Sequence, residues 1–267
     1  MYFCTDFLKW EMIAEGYIKL DDFQIFVKDI KINAEKEQPM LIFLHDSWGC
    51  VEMWDDFPEK LSKLLNQNAL VYDRRGHGKS SAFEVEERTT DYLQEEADIL
   101  IRLMDSLSIP KAILYGHSDG ATIALIAAAC YPNRFAGLIL ESPHTFMEES
   151  GINAVRTTRD KAMNSSLLEK LEKFHGEKTS SLFRLWHETW LSKHFAEWTI
   201  VPLMKNIVCP VMAFRGENDN FDTEEQLYVL KKEIKGAVQL AKIPNAAHAP
   251  HKENENETMR RILAFSH

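Results

Sequence analysis

The apolar positions of this 267-residue chain alternate with polar ones at first and then stop doing so. Residues 16–20 and 23–30 keep a two-residue period on either side of Asp21-Asp22, which predicts an antiparallel hairpin. Beyond it, residues 40–44, 69–72, 111–115, 135–140 and 208–214 read as continuous apolar strands with helical patterns between them, and a further strand is expected at 238–243. Strands without alternation are buried on both faces, and their succession with helices predicts an α/β fold: a mostly parallel sheet covered by helices on both sides. The helix ahead of the 111–115 strand places Leu93, Ala97, Leu100, Ile101, Met104 and Leu107 on one face and ends before Pro110. Its carboxylates Glu95, Glu96 and Asp98 fall on the opposite face and are expected in solvent.

Between residues 144 and 203 the strand signal disappears. Ser166 and Glu169 have the spacing of a capping box ahead of Leu167, Leu168, Leu171 and Phe174, and a second stripe runs through Leu182, Phe183, Trp186 and Trp190. The expected organisation is a core of residues 1–143 and 204–267 with 144–203 inserted as a helical lid. Loops in such folds emerge at the carboxyl ends of the strands, so the lid belongs there. Three of the six tryptophans, Trp186, Trp190 and Trp198, lie in it. Most such aromatics hold a lid together, but one or two can line an apolar pocket.

Where the 111–115 strand gives way to the small-residue run 121–129, the chain reads Gly116-His117-Ser118-Asp119-Gly120. A serine between two glycines at a strand-to-helix turn is the sequence form of a nucleophile elbow, in which a strained backbone lifts the hydroxyl clear of the sheet. Chance supplies the bare pattern in about one chain of this length in ten, so the flanking strand and helix carry the inference. A serine nucleophile needs a base, and the base needs an acid to orient it. Asp219 follows the strand that ends at Phe214, His248 follows the strand 238–243, and the order Ser118, Asp219, His248 is the one this architecture imposes. Asp222 and His251 are close rivals, but Asp219 and His248 fall in the first loop after their strands.

Composition narrows the setting. The formal charge is −10, from 31 basic and 41 acidic residues without a long Lys/Arg cluster, so nucleic acid and anionic membrane are poor partners. No apolar run approaches the roughly 18 residues of a spanning helix, and the first ten residues lack the plan of a secretory signal. Cys4, Cys50, Cys130 and Cys209 are scattered and fit free, mostly buried thiols in a reducing cytoplasm. There is no H-E-x-x-H, the His187 to His194 stretch lacks metal-ligand spacing, and Asp73 stands where a phosphate-binding loop would need its first glycine. Neither a metal nor another cofactor is expected. A monomer or weak homo-oligomer acting on a small molecule is.

With Asp73-Arg74-Arg75-Gly76-His77-Gly78-Lys79-Ser80, the elbow, the turn Gly216 to Asp219 and the late His248 taken in order, the chain resembles the α/β-hydrolases over nearly its full length. The resemblance implies the α/β-hydrolase fold and an oxyanion hole. One donor would be the backbone N–H of Asp119, at the start of the helix after the elbow. The other would come from His45-Asp46-Ser47-Trp48-Gly49, with Ser47 first by position and Trp48 next. Asp46 departs from the glycine common there and brings a carboxylate near the site, to which the Asp119 side chain would add.

The expected activity is hydrolysis of a carboxylic ester or lactone through an acyl-enzyme. The stretches around His45, Tyr72, Gly116 and Glu141-Ser142-Pro143-His144-Thr145-Phe146 are similar to a subgroup that includes serine-dependent macrolide esterases, which implies lactone opening of a bulky, amino-sugar-bearing substrate. Asp46, Trp48, His117, His144, Trp186 and Trp190 are the expected substrate contacts, with Glu148 and Glu188 as further nearby acids. The same residues would serve a C–C bond hydrolase or an amino-acid-ester hydrolase, and a non-catalytic small-ligand receptor on this fold is an alternative of a different class.

Overall fold

The computed structural model describes residues 14–32 and 38–265; Cys4 lies outside them. Among the described residues, eight strands form one sheet: β1 (Ala14–Leu20), β2 (Phe23–Ile30), β3 (Met40–Leu44), β4 (Ala69–Tyr72), β5 (Ala112–His117), β6 (Phe135–Glu141), β7 (Val211–Gly216) and β8 (Val238–Ile243). Their spatial order is β1-β2-β4-β3-β5-β6-β7-β8, parallel from β4 onward, with the antiparallel hairpin β1–β2 joined to one edge. The predicted α/β class and the expected hairpin are both present.

Side chains of a strand alternate between the faces of a sheet, and here both faces are buried. Ile42 and Leu44 of β3 join a core with α2 (Tyr92–Ser106) and α3 (Asp119–Cys130), while Leu41 and Phe43 of the same strand join a second core with α1 (Phe57–Leu65) and α10 (Glu255–Phe265). Helix α3 is buried nearly all round, which its run of alanines permits by letting it approach the sheet closely.

Between β6 and β7 the described residues are helical: α4 (Glu149–Ala162), α5 (Leu167–His175), α6 (Thr179–Trp190) and α7 (Val201–Met204). An isolated antiparallel bridge, Phe146 to Thr199, fastens the two ends of this block together. Helices α8 (Glu225–Glu233) and α9 (Pro250–Glu253) complete the chain before α10.

Three local expectations need correction. The strand foreseen at 208–214 starts at Val211, because Pro210 has no N–H to give the ladder and Val208 is exposed. Ser166 makes no side-chain cap; the hydroxyl of Ser165 accepts from the Leu167 N–H instead. Glu96, expected in solvent, is buried beside Arg74, Arg88 and Asp119, and burial raises its pKa. Of the neighbouring cations, Arg74 comes from the loop after β4 and Arg88 from the segment ahead of α2, so the period of α2 alone could not reveal them.

Candidate active site

The elbow forms as its glycines require. Ser118 caps α3 with φ 54°, a left-handed backbone that costs an L-residue energy and that the turn imposes. A Cβ on Gly116 would lie 2.4 Å from the Gly120 carbonyl oxygen, and one on Gly120 would lie 2.1 Å from that of Leu44. Only backbone without side chains fits between β5, α3 and β3 at this point.

The serine hydroxyl thereby meets two loops that follow strands. Ser118 Oγ is 3.1 Å from His248 Nε2, and His248 Nδ1 is 3.0 Å and 3.1 Å from the two carboxylate oxygens of Asp219. Asp219 also accepts from the Phe221 N–H, and although burial opposes its charge, His248 holds its pKa well below the usual carboxylate range. The imidazole is therefore fixed with Nδ1–H toward Asp219 and Nε2 free to take the serine proton. Of the rivals, His251 is turned away and bonded to Glu141, and Asp222 lies against Arg215 and His144.

Behind His248 sits a buried charge network that sequence reading did not foresee. His117 donates from Nε2 to the His248 carbonyl at 2.8 Å and presents Nδ1 to the Asp46 carboxylate at 3.4 Å. Burial works against its charge, but Glu141 and Asp46 prevail and raise its pKa to about 9. Glu141 accepts from the His251 N–H, from His251 Nδ1 and from the Tyr115 hydroxyl. The nitrogens and oxygens of His117, Glu141 and His251 lie within 4.8 Å of one another, a spacing a metal ion could use, yet both Glu141 oxygens are already committed to hydrogen bonds. Ser142 adds a second donor to the His248 carbonyl.

The loop from β3 is held by the loop from β4. Arg74, fully buried, donates its backbone N–H to His45 Nε2 and its guanidinium to the Asp46 carbonyl, and the guanidinium lies 3.8 Å from the Asp119 carboxylate. One cation thus ties together the turn carrying Ser47 and the first residue of α3. Asp73 fixes its own loop by accepting from the Val51 and Lys79 N–H groups. The Asp46 carboxylate accepts from the Trp48 N–H, closing an Asx turn around Ser47.

These residues open on a cavity of about 230 Å³ lined by Asp46, Ser47, Trp48, His117, Ser118, Asp119, His144 and His248 from the core. The helical block contributes Gly151, Val155, Trp186 and Trp190, so α4 and α6 face the serine across it. The expected catalytic, oxyanion and substrate-contact residues therefore all lie at this cavity except Asp219, which reaches it through His248. Two details differ from expectation. The Asp119 side chain turns inward to the Tyr92 hydroxyl and Arg74 and adds no free charge, while Glu188 lies outside, paired with Arg184. Phe146, Met147, Phe221, Asp222 and Gln226 also line the cavity and were not singled out as contacts. They come from the loops after β6 and β7 and from α8, where no local period marks a lining residue.

The chain is 26% identical over 205 residues to the human serine hydrolase BPHL, covering 73% of this chain and 69% of that protein. It is 34% identical over 134 residues to a proline iminopeptidase of Thermoplasma volcanium, covering 49% of this chain and 43% of that one. Among solved structures, the enol-lactonase of Burkholderia xenovorans LB400 superposes with a TM-score of 0.73 over 94% of this chain and 99% of its own, at 17% identity, a likeness of fold. The profile of the Alpha/beta hydrolase family matches residues 41–261, and to that family this chain belongs.

Proposed function

We propose that this protein is a serine hydrolase that cleaves a carboxylic ester or lactone through an acyl-enzyme. One observation carries the reading: the chain Ser118–His248–Asp219 is hydrogen-bonded from end to end at the floor of an apolar cavity. Ser118 Oγ attacks the carbonyl carbon as its proton passes to His248 Nε2. The tetrahedral oxyanion takes hydrogen bonds from the backbone N–H groups of Asp119, at the N-terminus of α3, and of Ser47. His248 returns the proton to the departing alkoxy oxygen, and water then repeats the sequence on the acyl-enzyme.

The cavity wall favours a bulky substrate that carries an amine. Among its lining residues are the carboxyl groups of Asp46, which faces His117, and of Glu148, with no lysine or arginine, and Trp48, Trp186, Trp190 and Val155 supply apolar area. A macrolide lactone with an amino sugar has this chemistry, and so does an ester of an amino acid. The larger molecule requires the cap formed by α4 to α7 to stand further from the core. A mass-spectrometric screen of macrolides, simple esters and amino-acid esters tests the reading, with Ser118→Ala as the blank. Turnover of an ester or lactone that falls at least about 1,000-fold in the variant is expected. Equal turnover by Ser118→Ala would overturn it.

A further inference from the structure

Ser118 has a second histidine. His144, in the loop after β6, places Nε2 3.4 Å from Ser118 Oγ, and its ring stacks on that of His248 with centroids 5.8 Å apart at 25°. The position is not set by the ring nitrogens. Thr122 of α3 grips the backbone instead, donating its hydroxyl to the His144 carbonyl at 2.7 Å and accepting from the His144 N–H at 3.2 Å. Trp190 packs its edge on the ring from the cap side. Both nitrogens are thereby left to face chemistry: Nε2 toward the serine, Nδ1 toward Asp222, whose carboxyl oxygen is 3.7 Å away.

We propose that His144 is a further catalytic residue, a neutral hydrogen-bond donor from Nε2–H to Ser118 Oγ and to the oxygen that leaves the tetrahedral intermediate, with Asp222 as the positioning residue that sets its tautomer. This deepens the ester-hydrolase reading above and rests on it. The hydrogen-bond directions are consistent along the chain. Ser118 gives its only proton to His248, so its remaining lone pairs can accept, and Nε2 of His144 must then be the N–H. Nδ1 is left as the acceptor for a proton on Asp222. Burial, and next the charge of Asp219, raise Asp222 to about 7, so that proton is present on much of the protein at neutral pH. Burial, and next His248, lower His144 to about 3, so it stays neutral while His248 cycles through its cation.

Two oxygens on one tetrahedral carbon are close neighbours, so a donor that reaches Ser118 Oγ also reaches the departing alkoxy oxygen. In acylation the Oγ–C bond forms, the C–O(alkoxy) bond breaks, and the proton taken by His248 ends on the alcohol. His144 transfers no net proton and only lowers the charge on the leaving oxygen. Its contribution therefore grows as the leaving group becomes more basic.

The test uses two acetate esters that acylate Ser118, one with a p-nitrophenoxy and one with a phenoxy leaving group, each followed as kcat/KM, which reports the acylation half of the reaction. His144→Phe, which keeps a ring against His248 and removes the donor, is expected to slow the phenoxy reagent by about 100-fold and the p-nitrophenoxy reagent by less than about threefold. Asp222→Asn, which still offers an N–H to Nδ1, is expected to keep the wild-type ratio of the two rates, whereas Asp222→Leu loses it. Equal slowing of both reagents by His144→Phe, or none, would overturn the proposal and leave the hydrolase reading intact. A wild-type Ser118 that reacts with neither reagent would overturn both.

Discussion

At the scale of the residue, the site is a set of buried charges arranged around one hydroxyl, and His117 shows how much depends on them. One ring nitrogen donates to the His248 carbonyl ahead of α9 and the other faces the Asp46 carboxylate after β3 as an ion pair, with Glu141 of β6, His251 and Trp54 packed about the ring. A histidine raised from an ordinary value near 6.5 to about 9 stabilises the folded state fully below pH 6.5, and that stability is lost as pH rises through 9. The urea midpoint is therefore expected to fall between pH 6.5 and 9.5 by the equivalent of about 3 kcal/mol, and His117→Gln to flatten that fall. A wild-type midpoint constant over this range would show that His117 carries no such charge. The elbow and the order serine, aspartate, histidine announced themselves in the sequence, because each sits next to a strand that its apolar run reveals. The partners of His117 did not. Asp46 and Glu141 approach it from separate strands, and the separations along the chain carry no periodic signal.

At the scale of the element, β5, the elbow and α3 act as one rigid unit, and their closeness is the reason the glycines cannot be replaced. A methyl group on Gly120 would meet the Leu44 carbonyl, which belongs to the adjacent strand and cannot rotate away. Gly120→Ala is expected to lower stability by about 2–3 kcal/mol, read as a shift in the denaturation midpoint with unchanged slope. Loss of reactivity of Ser118 is expected as well, since α3 must shift and its first N–H groups with it. Stability within about 0.5 kcal/mol of wild type would show that the strand spacing is slack. Element types read well from sequence here because central parallel strands and a wholly buried alanine-rich helix are extreme compositions. Solvent faces read less well. The carboxylate of Glu96 was assigned to water on the period of α2, but Arg74 and Arg88 reach under the helix and give it a buried environment.

At the scale of the whole molecule, the question is how the helical cap and the sheet share one cavity. The cap is fastened at its far corner. His175, at the end of α5, donates to the Trp48 carbonyl and accepts from the Gly78 N–H, joining the cap to both loops that shape the oxyanion turn. Lys178, just before α6, donates to the carbonyls of Gly78 and Ser80 at 2.6 Å each and to that of His77 at 3.4 Å. A half-buried ammonium on several carbonyls is anchored strongly, each charged hydrogen bond contributing about 1.5–3 kcal/mol. Because α6 carries Trp186 and Trp190 into the cavity, releasing its first turn should loosen the apolar wall and leave the serine untouched. Lys178→Met is thus expected to raise KM for an ester about tenfold with kcat changed less than about threefold, and to speed proteolytic cleavage within residues 144–203. If cleavage is no faster and KM is unchanged, the corner formed by Lys178 does not hold the cap, and the docking there rests on His175.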